Sequence, residues 1–329
     1  MEIDNEKITN VLNVSFYRNS KEYNKKIYIL MTSKMKHDIK DNENNIQVFC
    51  DTTYHALPSK NTHFKLWLLV GFNKIIFKTI ILCIDLIKNE NEETFKKIFK
   101  YLKDRFDFNP PNITMDMCKA QILASREIFP TSNIILCFFH YIQRIIKHLP
   151  QIKSTNLIKK QKAKDLLSNL KLVIFLEEAD INTFFKKIKT KFEKEFSKFL
   201  KYFEKTFFHT KPYNENLWCY YKIRNNYDND IFFFTNYICE STNRTLNINY
   251  IGGCNSFLNF YKTITDLIFI FENKDSYDEN KLSITRAINY YVTKNKNIEL
   301  ITNNKLLEIL KEYENHILKK RYLLKKFLI

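Results

Sequence analysis

Short apolar runs dominate the first part of the chain and predict strands. The runs at 46–50, 64–71 and 75–86 are rich in valine, isoleucine, leucine and phenylalanine, which favour pleated, packed positions. Only residues 72–74 separate the second run from the third, and strands joined by so short a turn are antiparallel. The pattern predicts three antiparallel strands, and residues 26–32 are a further strand candidate.

The spacing of apolar positions then becomes helical. One helix face carries Phe95, Ile98, Phe99, Leu102 and Phe106. Further strand candidates lie at 112–116 and 133–138, and a helical segment follows each of them. Right-handed crossovers place these two strands beside the first, which gives the strand order 3-2-1-4-5. The sequence thus predicts an α/β fold, an RNase H-like mixed sheet of five strands flanked by helices.

The pattern also predicts a division into segments. Residues 1–44 form an N-terminal strand/helix extension, and residues 45–150 form the first part of the core. Residues 151–215 are an all-α insertion with basic outer faces, because their apolar positions keep helical spacing throughout. Residues 216–275 return to the core with its last helix, and residues 276–329 form C-terminal helices.

Composition and charge narrow the class of protein. The chain of 329 residues is 45% apolar, with 29 Phe and 19 Tyr, which excludes a disordered tail. The net charge of +17 attracts polyanions, nucleic acid first, although a general lysine bias is an equal alternative. The odd number of cysteines, seven, and the lack of a long uninterrupted apolar run indicate a reducing, intracellular setting without membrane spans.

Two aspartates end predicted strands that are neighbours in the sheet. Asp51 follows the first strand and Asp116 ends the fourth, so we expect both carboxylates at one edge of the sheet. Asp85 also lies near a strand end, and we interpret it as a cap distant from this edge.

A third carboxylate, Glu240, lies on a predicted helix. Asn236, Asn243 and Arg244 share its face at helical spacing. Such a stripe suits a metal and a phosphodiester, whereas the alternative is a plain solvated helix face.

Three carboxylates suit a site for two divalent ions. Mg²⁺ or Mn²⁺ prefers carboxylate oxygens, and two such ions can activate a water and stabilise a leaving oxygen. In this hypothesis Asp51 bridges both ions, Asp116 holds one and Glu240 the other. The basic side chains expected to position a phosphate backbone are Arg244, Lys119, Arg144 and Lys147.

A cysteine and a histidine three residues apart form a second motif. Cys137 and His140 would need two more ligands to hold structural zinc, and Cys118, Cys219 or Cys239 are the candidates. We favour the interpretation in which Cys137 is a packed strand-end thiol and His140 begins a helix near the carboxylates, where it bonds an acid or a phosphate.

In order and spacing, these segments resemble the transposase domain of Mutator-like elements (MULE), a branch of the DDE transposases. The resemblance covers residues 26–275. The segments that carry it are Asp51–Pro58, Phe108–Asp116, Ile128–Pro130, Cys137–Gln143, Thr235–Asn236 with Glu240, and Asn255–Phe260. Thr52, Cys118 and Asn243 depart from the usual family pattern.

The resemblance implies an RNase H-like fold and metal-dependent cleavage and strand transfer at transposon ends. It implies Asp51, Asp116 and Glu240 as the catalytic triad, Cys137 and His140 as the family's C(2)H pair, and DNA as the partner. It further implies a homo-oligomer that works in the nucleus. The alternative is a domesticated or decayed transposase-derived DNA-binding protein without catalytic activity, and a nuclease of the same fold is a third hypothesis.

Overall fold

The computed structural model describes residues 13–16, 27–41, 45–53, 64–75, 78–210, 213, 220–221, 233–236, 238–242, 290–292, 294–295 and 299–327. The chain forms two compact units. The first comprises Met1–Cys137 and Thr235–Asp278, and the second comprises Phe138–Phe234 and Glu279–Ile329. Among the described residues, none of the helices has both the length and the apolar character that a membrane crossing requires.

The first unit contains a mixed sheet with helices. Its strands are β1 Asn13–Phe16, β2 Ile27–Met31, β3 Ile46–Thr53, β4 Lys65–Asn73, β5 Lys78–Ile87, β6 Asn112–Met115 and β7 Asn133–Leu136. Its long helices are α1 Ser33–Asp41, α2 Glu92–Phe106 and α3 Lys119–Ile128. The strand order is β1-β2-β5-β4-β3-β6-β7. The pairs from β1 to β3 are antiparallel, and β3/β6 and β6/β7 are parallel.

The sheet corrects the predicted strand count and overall order. Among the described residues it has seven strands instead of five, because β2 pairs with β5 and β1 pairs with β2. The strands β5, β4, β3, β6 and β7 occupy consecutive positions within it. The architecture, a mixed α/β sheet flanked by helices, is compatible with an RNase H-like fold. The predicted segment boundaries stay a prediction.

Aromatic side chains form the core between β4 and the helices. Trp67 of β4 is fully buried, and its ring centroid lies 5.7 Å from that of Phe99 and 6.2 Å from that of Phe95, both on α2. Phe99 in turn contacts Phe129, which follows α3, at 5.4 Å. The amphipathic face predicted for α2 is therefore the face that packs against the sheet.

Asp85 is a further correction. It lies inside β5, in register with Ile29 of β2 and Trp67 of β4, and it is completely buried. Both of its carboxylate oxygens lie 3.5 Å from the Cys83 Sγ and accept hydrogen bonds from that thiol. The interpretation of Asp85 as a cap is wrong, because β2 extends the sheet beyond β5 and encloses this position.

The second unit is helical in its described parts. Its long helices are α4 Phe138–His148, α5 Leu157–Val173, α6 Glu178–Glu204 and α7 Asn303–Phe327. Phenylalanines at helical spacing make its core, and Phe203 of α6 lies 4.7 Å from Phe207 between ring centroids. Asn169 of α5 joins the segment before α7, since its side chain donates to the Ile301 carbonyl and accepts from the Ile301 amide.

Candidate active site

The parallel pairing of β3 with β6 determines where Asp51 and Asp116 lie. Cys50 is in register with Met115, and each aspartate is the next residue along the chain, Asp51 within β3 and Asp116 directly after β6. Because the strands are parallel and adjacent, both residues lie at the same edge of the sheet. Both are half-buried, so each carboxylate combines access to solvent with a fixed backbone.

The charges of both aspartates affect the pKa of the buried Cys50 thiol. Burial is the main cause that raises the pKa of Cys50 well above its usual value, and the charges of Asp116 and Asp51 raise it further. The thiol therefore stays protonated at neutral pH.

A tight turn fixes Asp116 at the end of its strand. Its Oδ1 accepts a hydrogen bond of 2.9 Å from the Cys118 backbone amide, just before α3 begins. An aspartate that bonds the backbone two residues on has a restricted rotamer, so the carboxylate is oriented before any ligand arrives.

Glu240 reaches the same region within the helical segment 238–242. Asn236, four residues before Glu240, is fully buried, and its Nδ2 donates to the Cys50 carbonyl at 2.9 Å. The Cys239 thiol lies 4.0 Å from the carbonyl of Leu68, the residue in register with Asp51. Burial first, and then the charges of Asp51 and Glu240 among others, raise the pKa of Cys239. These contacts place the helix beside the strand that carries Asp51.

Asn236 also has a buried oxygen. Its Oδ1 has no hydrogen-bond partner among the described residues. The donor bond from Nδ2 to the Cys50 carbonyl fixes which side of the amide is oxygen. A buried amide oxygen and the carboxylates are hard donors of the type that Mg²⁺ or Mn²⁺ prefers, so the chemistry of this edge fits such an ion.

Cys137 is a packed thiol at the end of β7. It is fully buried, and its Sγ accepts a hydrogen bond of 3.1 Å from the Asn236 backbone amide. Its own backbone amide donates to the Met115 carbonyl. Its Sγ and a carboxylate oxygen of Glu240 lie within 4.8 Å. His140 follows in the first turn of α4. The Cys137 thiol and the Glu240 carboxylate are therefore a candidate ligand pair within the first unit.

The other residues singled out in the sequence have separate locations. Lys119 is exposed and begins α3, three residues after Asp116. Arg144 and Lys147 lie on α4 in the helical unit. Asn243 and Arg244 lie outside the described residues.

Sequence reasoning missed Gln121 of α3. This buried side chain accepts from the Cys50 thiol at 3.2 Å and donates to the Thr52 hydroxyl at 3.4 Å, so it holds the residues on both sides of Asp51. An amide among the buried positions of an otherwise apolar helix face is the signal that could have identified it.

An ion pair near this edge was missed as well. Lys65, at the start of β4, bonds Glu90 at 2.6 Å. The charge of Glu90 is a minor cause, after burial and Asp116, of the raised pKa of Cys118. The pair therefore lies near the turn that follows Asp116, although the two residues are separated by a whole strand in sequence.

A comparison with known families supports the resemblance. Residues 47–144 match the family model described as the MULE transposase domain. The matched segment runs from β3 into α4, and Glu240 lies beyond it. No curated protein matches the chain. The matched segment carries Asp51, Asp116, Cys137 and His140, and it is similar to the MULE transposase domain.

Proposed function

We propose that this protein is the catalytic domain of a DDE-type DNA transposase, which cleaves phosphodiesters at transposon ends and transfers the strands. One observation carries the proposal. Within the segment that matches the MULE transposase domain, β3 and β6 pair in parallel and place Asp51 and Asp116 at one edge.

Asp51, Asp116 and Glu240 would hold two Mg²⁺ or Mn²⁺ ions. When bound, such ions supply an activated water or hydroxyl and neutralise the leaving oxygen of a phosphodiester. In this proposal Asp51 would contribute to both ions, Asp116 to one and Glu240 to the other.

The surrounding side chains keep these carboxylates in position. Gln121 holds the strand on both sides of Asp51, and Asn236 ties the segment before Glu240 to the Cys50 carbonyl. Fixing reactive groups in advance lowers the entropic part of a reaction barrier. The protonated thiols of Cys50 and Cys239 exclude water here without competing as anionic ligands.

The C(2)H pair has a supporting role in this proposal. The hydrogen bond from the Asn236 backbone amide to the Cys137 thiol favours the packed-thiol interpretation, in which Cys137 anchors the segment leading to Glu240. His140 then serves as a hydrogen-bonding group for an acid or a phosphate. A zinc content of one ion per chain in the purified protein, lost in Cys137→Ser, would contradict this role.

DNA is the partner in this proposal, and the location of Lys119 at the start of α3, three residues after Asp116, supports a contact with a phosphate. The +17 charge supports a polyanionic partner. Joining two transposon ends requires a homo-oligomer, and access to chromosomal DNA places the protein in the nucleus.

Nicking and joining of DNA by the full chain tests the function. The substrate carries the terminal repeats of the element, with Mg²⁺ or Mn²⁺ present or chelated. Asp51→Asn is the test variant, and Asp104→Asn, an exposed aspartate on α2, is the matched control. We expect metal-dependent nicking and joining that Asp104→Asn retains and Asp51→Asn loses.

Two outcomes would overturn the proposal. DNA binding without any cleavage would identify a transposase-derived DNA-binding protein without activity. Cleavage without joining would identify a nuclease of the same fold.

A further inference from the structure

A histidine and a tyrosine stack at the surface of the helical unit. His148, the last residue of α4, lies 3.9 Å from Tyr202 of α6 between ring centroids, with 25° between the planes. His148 is exposed and Tyr202 is half-buried. The pair is therefore a flat aromatic surface that solvent reaches from the histidine side.

The arginine beside this stack is held by tyrosines. Arg144 Nε donates to the Tyr202 hydroxyl at 3.3 Å, and its guanidinium carbon lies 5.5 Å from the ring centroid of Tyr213. Neither contact neutralises its charge. An arginine oriented by aromatic rings keeps donors that suit a phosphate.

The charge around the stack is positive. Lys147 on α4 is exposed, as are Lys198 and Lys205, which lie one helical turn to either side of Tyr202. Two glutamates of α6 form ion pairs elsewhere. Glu195 bonds Lys162, and Glu204 bonds Lys189. Within the described part of the chain, no carboxylate forms an ion pair with Arg144 or Lys147.

The imidazole itself is neutral near pH 7. Partial burial, followed by the charges of Arg144 and Lys147, lowers the pKa of His148 below its usual value. A neutral ring stacks as an aromatic surface, while the positive charge comes from the flanking arginine and lysine.

We propose that His148, Tyr202, Arg144 and Lys147 form a binding site for single-stranded DNA. One unpaired base stacks on His148, and the adjoining phosphates contact Arg144 and Lys147. Rings interleaved with cations are the arrangement that binds single strands, because an unpaired base exposes the face that a duplex keeps stacked. The proposal rests on the proposed function only for the choice of DNA over RNA.

Fluorescence anisotropy with labelled oligonucleotides tests this site. The full chain carries Asp51→Asn throughout, so that binding is measured without cleavage. The probes are single-stranded DNA, the same sequence as a duplex, and single-stranded RNA of that sequence. Because the readout is binding, failure of this site is distinguishable from failure of the cleavage reaction.

Replacing the ring gives the sharpest comparison. We expect His148→Ala to weaken single-strand binding about five- to tenfold, since stacking on one base accounts for an effect of this size. His148→Phe keeps a ring and should remain within about twofold of the parent. Duplex binding should change less than about twofold in both variants.

A charge-matched pair tests the phosphate contacts. Lys147→Ala should weaken single-strand binding and reduce the salt dependence by about 0.7 in the log–log slope. Lys186→Ala removes the same charge from an exposed position in the first half of α6 and should change neither. Equal melting temperatures of all variants show that the fold is retained.

Three results would overturn the site. In the first, His148→Ala binds single strands as tightly as the parent. In the second, His148→Ala loses single-strand and duplex affinity equally. In the third, Lys186→Ala weakens single-strand binding as much as Lys147→Ala does. Tighter binding of the RNA probe by more than about tenfold would overturn the choice of DNA.

Discussion

Asp51 and Asp85 belong to the same sheet, and each follows a run of apolar residues, but their surroundings differ. Asp51 is half-buried at the carboxyl end of β3, beside the strand that leads to Asp116. Asp85 is completely buried inside β5, and burial raises the pKa of its carboxyl well above the usual value. A carboxylate serves metal chemistry when it has access and carboxylate neighbours, whereas an enclosed one is kept neutral.

The difference arises from the strands that neighbour each aspartate. β2 pairs with β5 and encloses Asp85 between Ile29 and Trp67. Asp51 lies near the end of β3, where the sheet passes from antiparallel to parallel pairing. Position in the sheet, rather than position in the apolar run, therefore determines how far each aspartate is buried.

The largest expected contrast concerns cleavage. Asp116→Asn should lower metal-dependent cleavage by at least about 100-fold, because it removes a charge that acts at the reacting centre. Asp85→Asn should change cleavage less than about threefold, measured at one pH after circular dichroism has verified that both proteins are folded. Equal losses of cleavage in the two variants would show that Asp116 matters no more for catalysis than Asp85.

Asp85 should instead control how stability depends on pH. Its folded pKa is raised, so its stabilising effect is complete below the unfolded pKa near 4 and is lost as pH rises toward the folded pKa. The loss is about 1.4 kcal/mol per pH unit over that window. Urea unfolding at several pH values checks this.

The amide variant provides the control for that measurement. Asp85→Asn cannot ionise and should show a shallower decline in stability above pH 4. A pH profile identical to that of the parent protein would contradict the assignment of a neutral, buried Asp85.

The buried amides of the two units provide a third contrast. Asn236→Ala leaves the Cys50 carbonyl without its donor and should cost about 1–3 kcal/mol in unfolding free energy. Asn169→Ala should cost a similar amount, because it removes bonds to Ile301. Cleavage per folded molecule should fall only in Asn236→Ala, and a matching fall in Asn169→Ala would show that Asn236 does not position the site.

The smallest expected effect belongs to the Lys65–Glu90 pair. Both side chains are partly exposed, so Lys65→Met should change the unfolding free energy by less than about 1 kcal/mol. The difference should shrink further at high salt. Urea unfolding at low and high ionic strength measures it, and a salt-independent loss of several kcal/mol would mean that the pair has a structural role.

The sequence predicts some of these features and not others, for physical reasons. Strand and helix periodicity is local, so the strands that precede Asp51 and Asp116 and the apolar face of α2 follow from spacing alone. The addition of β2 to β5 is a long-range pairing, and spacing does not specify the partner of an edge strand. For this reason the enclosure of Asp85 was missed. The bonds of Gln121 to Cys50 and Thr52 depend on the packing of α3 against β3, which a single sequence does not reveal.

The central claim is that the Asp51–Asp116 edge binds divalent metal. A crystal of the full chain grown with Mn²⁺ tests this directly through anomalous difference density. The account predicts a peak coordinated by carboxylate oxygens of Asp51 and Asp116, and loss of that peak in Asp51→Asn. Density confined to other side chains, with none at the two aspartates, would contradict it.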